Sequence, residues 1–396
     1  IFKRIIIVFI ENQPAVINNF FYFARMEGVD IIMKKVIYVF IVILFVVVVG
    51  IFFINGHQED VDVTKEKTKV GFLLNGTCDD KNYGQAHYEG IEKVAKILNL
   101  EILYKENVPE TEECIKIIEE LIEEDCEIII CNSFGLGEWE LKAAEQHPEV
   151  YFFHTAGTQC AHNLSTYFGR MYQVRYLSGI VAGLQTETNE IGYVAAFPIS
   201  EVNRGINAFT LGVKKVNPEA TVYVEWTNSW IDDELTKKAT EKLLENYNID
   251  VITMHTDSLE VLKLAEEHGI WSIGYNMDNS KDFPNTFLTA PIWRWENFYE
   301  PYLLDCLQGK FVGKGYWEGI ETGMIALAPF TNNVKDGTEK IVKEEQKQLE
   351  SLVVDVFYGP IVDQNGVVRV QQGESMTDDV MLNQFDWYVE GVVIEK

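Results

Sequence analysis

The chain has 396 residues, 47% hydrophobic and 24% charged, a globular composition that excludes a disordered chain. Its length suits two domains and an added segment better than a single core. A formal net charge of −28 would repel phosphate backbones, so nucleic acid is a poor partner.

Residues 36–54 form an apolar run of 19 residues with no charge, preceded by Met33, Lys34 and Lys35. As a helix the run spans roughly 28 Å, about one bilayer core. The basic flank places the following body outside the cell. The run ends on Gly50, Ile51, Phe52, Phe53 and Ile54, which offers no small-residue cleavage site, and no cysteine lies nearby to carry a lipid. Residues 33–57 are therefore expected to be an uncleaved membrane anchor, with a cleaved signal peptide as the competing reading. Met33 reads as a natural start. Residues 1–32 then form an upstream extension, and residues 58–68 a polar tether.

From residue 69 the apolar pattern alternates between short continuous runs and helical spacing. It predicts strands over 69–75, 101–105, 127–131 and 150–154. Helices are predicted over 85–98, 111–124 with Thr111 as N-cap, and 136–146. After a stretch at 154–170 the alternation resumes. Strands follow over 191–196, 221–226, 251–255 and 271–275, with helices over 200–216, 233–246 and 258–267. Continuous apolar strands with intervening helices mean parallel sheets covered on both faces. The repetition predicts an α/β protein of two Rossmann-like lobes, 69–165 with about 290–325 and 166–289 with about 326–396.

In open parallel sheets ligands bind outside the carboxyl ends of the strands. Three of the loops so nominated carry Tyr83, Phe134 and Trp230, planar side chains suited to sandwich a flat ring. The same loops and their neighbours carry Asn132, His154, Asn203, Asp257 and Asp278, which can read donors and acceptors on a ring edge. Each has a plainer reading: an aromatic plug, a hydrogen-bonded structural histidine, or a turn cap at Asp278. The six cysteines form no CxxC pair and match no zinc spacing, and no cofactor motif is present. No nucleophile elbow or P-loop occurs, and the adjacency of His255, Asp257 and Ser258 cannot form a relay, so an enzyme is not expected.

Several stretches resemble the basic-membrane-protein (BMP) family of substrate-binding proteins. They are Asp79-Asp80-Lys81-Asn82-Tyr83, Ser133-Phe134-Gly135, Phe153-His154-Thr155-Ala156-Gly157, residues 197–218, Asn228-Ser229-Trp230, and the tail motifs at 359–364 and 387–391. The resemblance implies a type I periplasmic-binding-protein fold with a multi-strand hinge, an ABC permease as partner and an aromatic sandwich around a purine. It aligns Tyr83 and Trp230 with the two sandwich rings, and His154 with the base-reading position. Where nucleoside binders hold ribose with Asp and Lys, this chain has Asn276 and Trp293, which implies a ligand lacking ribose, such as adenine. A nucleoside ligand, or a sensor ectodomain in place of a transport receptor, remains the alternative.

Overall fold

The computed structural model describes residues 67–394 apart from Thr158. The expected anchor, the extension before it and most of the tether lie outside the described residues. Among the described residues no helix is long and apolar enough to cross a membrane.

The first lobe is built on a six-stranded parallel sheet in the order β12-β5-β4-β3-β1-β2. Its strands are β1 (Lys69–Leu73), β2 (Glu101–Lys105), β3 (Cys126–Cys131), β4 (Tyr151–Thr155), β5 (Leu164–Gly169) and β12 (Gly315–Glu318). Helices α1 (Tyr83–Leu98), α2 (Glu113–Glu123) and α3 (Gly137–Gln146) connect the early strands. Strand β3 shows why the sheet is covered twice. Ile128 and Ile130 enter the core beneath α1, while Ile129 packs with Leu121 of α2 and Ala143 of α3. A strand buried on both faces has no polar alternation, which is why it reads as a continuous apolar run. Helix α2 starts two residues later than its sequence predicts. Thr111 is not its N-cap; its carbonyl accepts from Cys114 N in a preceding turn, and the capping residue Glu112 makes no side-chain cap bond.

The second lobe repeats the plan with the order β10-β9-β8-β6-β7-β16. It comprises β6 (Glu190–Ala195), β7 (Thr221–Trp226), β8 (Val251–His255), β9 (Trp271–Ile273), β10 (Phe287–Thr289) and β16 (Val392–Ile394), with all neighbours parallel. Its helices are α4 (Tyr172–Gln185), α5 (Ser200–Val216), α6 (Asp233–Asn246) and α7 (Glu260–His268). The chain passes between the sheets three times: after β5, after β10, and after β12. The second crossing carries β11 (Pro291–Trp293) and leads into α8 (Glu296–Leu307); the third carries β13 (Ile325–Leu327), which pairs antiparallel with β11. Helix α9 (Thr338–Glu350), the hairpin β14 (Ile361–Val362) and β15 (Val368–Val370), and α10 (Asp378–Asn383) then lead back to β16.

Candidate functional site: the cleft between the lobes

The carboxyl ends of both sheets face a common gap, and the loops that cross it touch. Asn82, in the loop after β1, is fully buried although it precedes a helix. Its Nδ2 donates to the backbone oxygen of Asp257, after β8, at 2.7 Å. Asn276, after β9, donates from Nδ2 to Asn82 Oδ1 at 2.6 Å and to Asp257 Oδ1 at 2.8 Å. Trp293 Nε1 donates to Asn276 Oδ1 at 2.9 Å. The backbone of Asn276 is engaged too, its N–H by Pro291 O and its carbonyl by Trp293 N. Asn276 sits at φ 68°, a left-handed conformation that asparagine tolerates better than most residues. Alongside, Asn279 Nδ2 donates to Lys81 O at 3.0 Å, and Lys81 Nζ pairs with Asp282 at 3.2 Å.

A column of rings backs this network from the hinge. His87 of α1 stacks on Trp295 with centroids 4.1 Å apart and planes at 13°. Trp295 stacks on Trp293 at 4.2 Å and 11°. Tyr83 meets the column edge-on, 4.6 Å from His87. Burial first, then the neighbouring charges of Tyr167, Tyr275, Asp257 and Glu201, hold the Tyr83 hydroxyl well above the usual phenol range. Three of those four neighbours belong to the second lobe, so Tyr83 stands at the gap. Burial drives the His87 imidazole well below its ordinary value, keeping it neutral.

On the opposite wall Trp230 is half-buried, 5.8 Å from Phe197 and 6.2 Å from His255, and its carbonyl accepts from Asp257 N at 2.7 Å. His255 is fixed by Tyr193 at 3.0 Å and Glu201 at 3.2 Å, and burial lowers its pKa to about 4. Ser258 Oγ donates to Asp233 at 2.6 Å, so His255, Asp257 and Ser258 turn to separate partners. Arg175 of α4, fully buried, lies 3.8 Å over the Tyr275 ring and donates to Met254 O. Burial, and then the charge of Asp80, push the Asp257 carboxyl up to about 8. Among the described residues no group of three or more His, Cys, Asp or Glu is placed to hold a metal ion.

The sequence-predicted residues divide accordingly. Tyr83, Trp230, Asp257, Asn276 and Trp293 converge on the gap, but Asn276 and Trp293 meet each other and Asn82, which leaves their polar side-chain atoms occupied. Asn132 lies at the end of β3, fully buried, with Oδ1 accepting from Asn75 N at 3.1 Å and Nδ2 without a hydrogen-bond partner among the described residues. His154 donates from Nε2 to Ser133 O, 3.0 Å away. Its ring is wedged between Gly137 and Gly157, where a Cβ would come within 1.9 and 2.1 Å of it. Phe134 is 67% exposed. Asn203 turns to the C-terminal segment, donating to Phe385 O at 2.9 Å and accepting from Tyr388 at 2.7 Å. Asp278 is exposed and caps a turn through Ser280 N at 3.0 Å. Sequence reasoning missed Asn82, Arg175, Glu201 and Tyr275 as cleft residues. Asn82 lay inside a recognised motif, but nothing in its spacing marks it as a bridge.

A family profile, that of the PnrA-like ABC transporter substrate-binding proteins, matches residues 67–354. The chain belongs to this family. A purine-binding protein of Brucella abortus is 33% identical to this PnrA-like protein over 330 residues, covering 83% of the chain and 93% of the relative. A putative ABC transporter glucose-binding protein of Haloferax volcanii is 34% identical over 329 residues, covering 83% and 81%. Among solved structures, solute-binding proteins of ABC transporter systems from Conexibacter woesei and Aeropyrum pernix share the fold. Their TM-scores are 0.62 and 0.63 at 18% and 17% identity, each covering 73% of this chain and 98% and 92% of its own. The PnrA-like protein is thus a substrate-binding protein of the periplasmic-binding-protein fold. Its family implies a small-molecule ligand and permease partners.

Proposed function

We propose that this PnrA-like protein is the extracytoplasmic receptor of an ABC importer, held to the membrane by residues 33–57. In this reading it binds a free purine base, adenine, between its lobes. The observation that carries the ligand reading is the placement of Tyr83 and Trp230 on opposite lobes with the Asp257 carboxyl between their loops. Stacking on two aromatic faces is worth about 1–3 kcal/mol per ring, and a carboxyl beside them can read the base edge. Asn276 and Trp293 stand where the resemblance puts the ribose contacts of nucleoside binders. Here they are hydrogen-bonded to each other, which leaves no charged pair for sugar hydroxyls. The Brucella relative, named for purine binding, supports the same reading.

Binding would favour the closed arrangement only to the extent that the ligand prefers it over the open one. Calorimetric titration with adenine, adenosine and glucose tests the ligand. Adenine is expected to bind, adenosine at least tenfold more weakly, and glucose not at all. Trp230→Ala is expected to weaken adenine at least tenfold. Preference for adenosine or glucose, or an unchanged affinity in Trp230→Ala, contradicts the reading. Fractionation of cells carrying the full chain tests the anchor, which predicts recovery with membranes.

A further inference from the structure

The tie across the cleft is made wholly of the protein's own atoms. Asn82 reaches it from the first lobe and Asn276 from the second. Asn82 gives its donor to Asp257 O and its acceptor to Asn276 Nδ2, so separating the lobes would break both bonds at once. Trp293 donates to Oδ1 of Asn276, and its ring rests on the Trp295 and His87 column. Both N–H groups of the Asn276 amide and one N–H of the Asn82 amide are thus spent inside the protein. The second Asn276 bond engages Oδ1 of Asp257, and among the described residues none donates to Oδ2.

We propose that Asn82 and Asn276 are positioning residues that latch the lobes together over the ligand and hold Asp257 with a single carboxyl oxygen presented to it. Asn82 then tunes affinity through the closed population rather than through contact, because a receptor that closes less often binds in proportion to its competent fraction. The geometry gives Asp257 one free oxygen beside the rings. With Asn276 donating to Oδ1, any proton on the carboxyl resides on Oδ2, and the group donates to a ring nitrogen or carbonyl of a heterocycle. When ionised, the same oxygen accepts from an exocyclic amine. The part concerning Asp257 rests on the purine reading; the latch does not.

Two Asn82 variants test it. Asn82→Ala removes both bonds. Asn82→Asp keeps the shape, replaces the donor to Asp257 O, and adds a carboxylate beside Asp80 and Asp257. Small-angle scattering of the ligand-free protein is expected to give a larger radius of gyration for both variants than for the wild type. Stopped-flow tryptophan fluorescence is expected to show adenine leaving about five- to tenfold faster, the loss of one or two net hydrogen bonds. Asp257→Asn, measured alongside, is expected to weaken adenine without changing the ligand-free scattering. A lower melting temperature in the Asn82 variants with unchanged scattering and unchanged release would mean that Asn82 is merely structural, and overturns the latch. If the wild type binds no adenine, the purine reading falls, while the ligand-free scattering still decides the latch.

Discussion

Asp257 carries the most distinctive electrostatics of the cleft. Burial and the charge of Asp80 raise its pKa from 3.8 to about 8, and the hydrogen bond from Asn276 opposes them only in part. An acid whose pKa is raised on folding binds its proton more tightly in the native state. Its contribution to stability is complete below the unfolded value of 3.8 and is lost as pH rises towards 8. The neutral His255 imidazole, lowered to about 4, has the opposite sign: its contribution is present above 6.5 and is lost as pH falls. Melting temperatures between pH 6.5 and 8.5 therefore separate the carboxyl from the imidazole. The wild type is expected to lose stability over that range more steeply than Asp257→Asn; parallel profiles would show that Asp257 does not titrate there. The residue types of this site were legible in the sequence, because strand ends nominate loops and loops hold few amides and rings. Their partners were not. The resemblance aligns Asn276 and Trp293 with ligand positions; their bonds to each other and to Asn82 join positions up to 194 residues apart, and no local pattern records such a meeting.

At the scale of elements, legibility did not simply follow burial. Strands β2, β7 and β8 and helices α5 and α6 have the bounds their sequence predicts, although β2 is an edge strand with no buried residue. Within the two six-stranded sheets, strands β5, β10, β12 and β16 escaped notice. The last two close the sheet edges, are only partly buried, and are recruited by neighbours distant in sequence. A close backbone approach between two helices is also silent in the sequence. A Cβ on Gly179 of α4 would lie 2.0 Å from the carbonyl oxygen of Phe209 in α5, and Gly212 makes the reciprocal approach to Tyr176 O. Backbone cannot rotate away as a side chain can, so the helices must part. Gly179→Ala is expected to destabilise the protein by about 1–3 kcal/mol in urea titration, the usual range for overpacking. A change within the error of the titration would show that the helix pair yields freely.

For the whole molecule, the question is where the folding unit ends. The family match stops at residue 354, yet the segment beyond it completes the second lobe. Strand β16 lies beside β7, with Val392 opposite Val222. Buried polar groups of α5 depend on carbonyls from the same segment: Asn203 on Phe385, Arg204 on Met381 and Asn207 on Trp387. Tyr172, where the first crossing enters α4, donates to Asp355 at 2.5 Å, and Arg170 pairs with Asp378 at 2.7 Å. A chain ended at Val354 would leave Asn203, Arg204 and Asn207 without those partners. Each orphaned buried group costs about 1–3 kcal/mol, more for the charged one, against a typical total stability of about 5–15 kcal/mol. The shortened chain is therefore expected to lose near-ultraviolet circular dichroism and a cooperative urea transition, whereas Asn207→Ala in the full chain keeps both with a lower midpoint. A cooperative transition retained by the shortened chain would place the folding boundary at the family match and make the terminal strand an ornament of the sheet edge. Loss of cooperativity would instead make the return of the chain to β7 a condition for the second wall of the cleft, and so for Trp230 and Asp257 to stand opposite Tyr83.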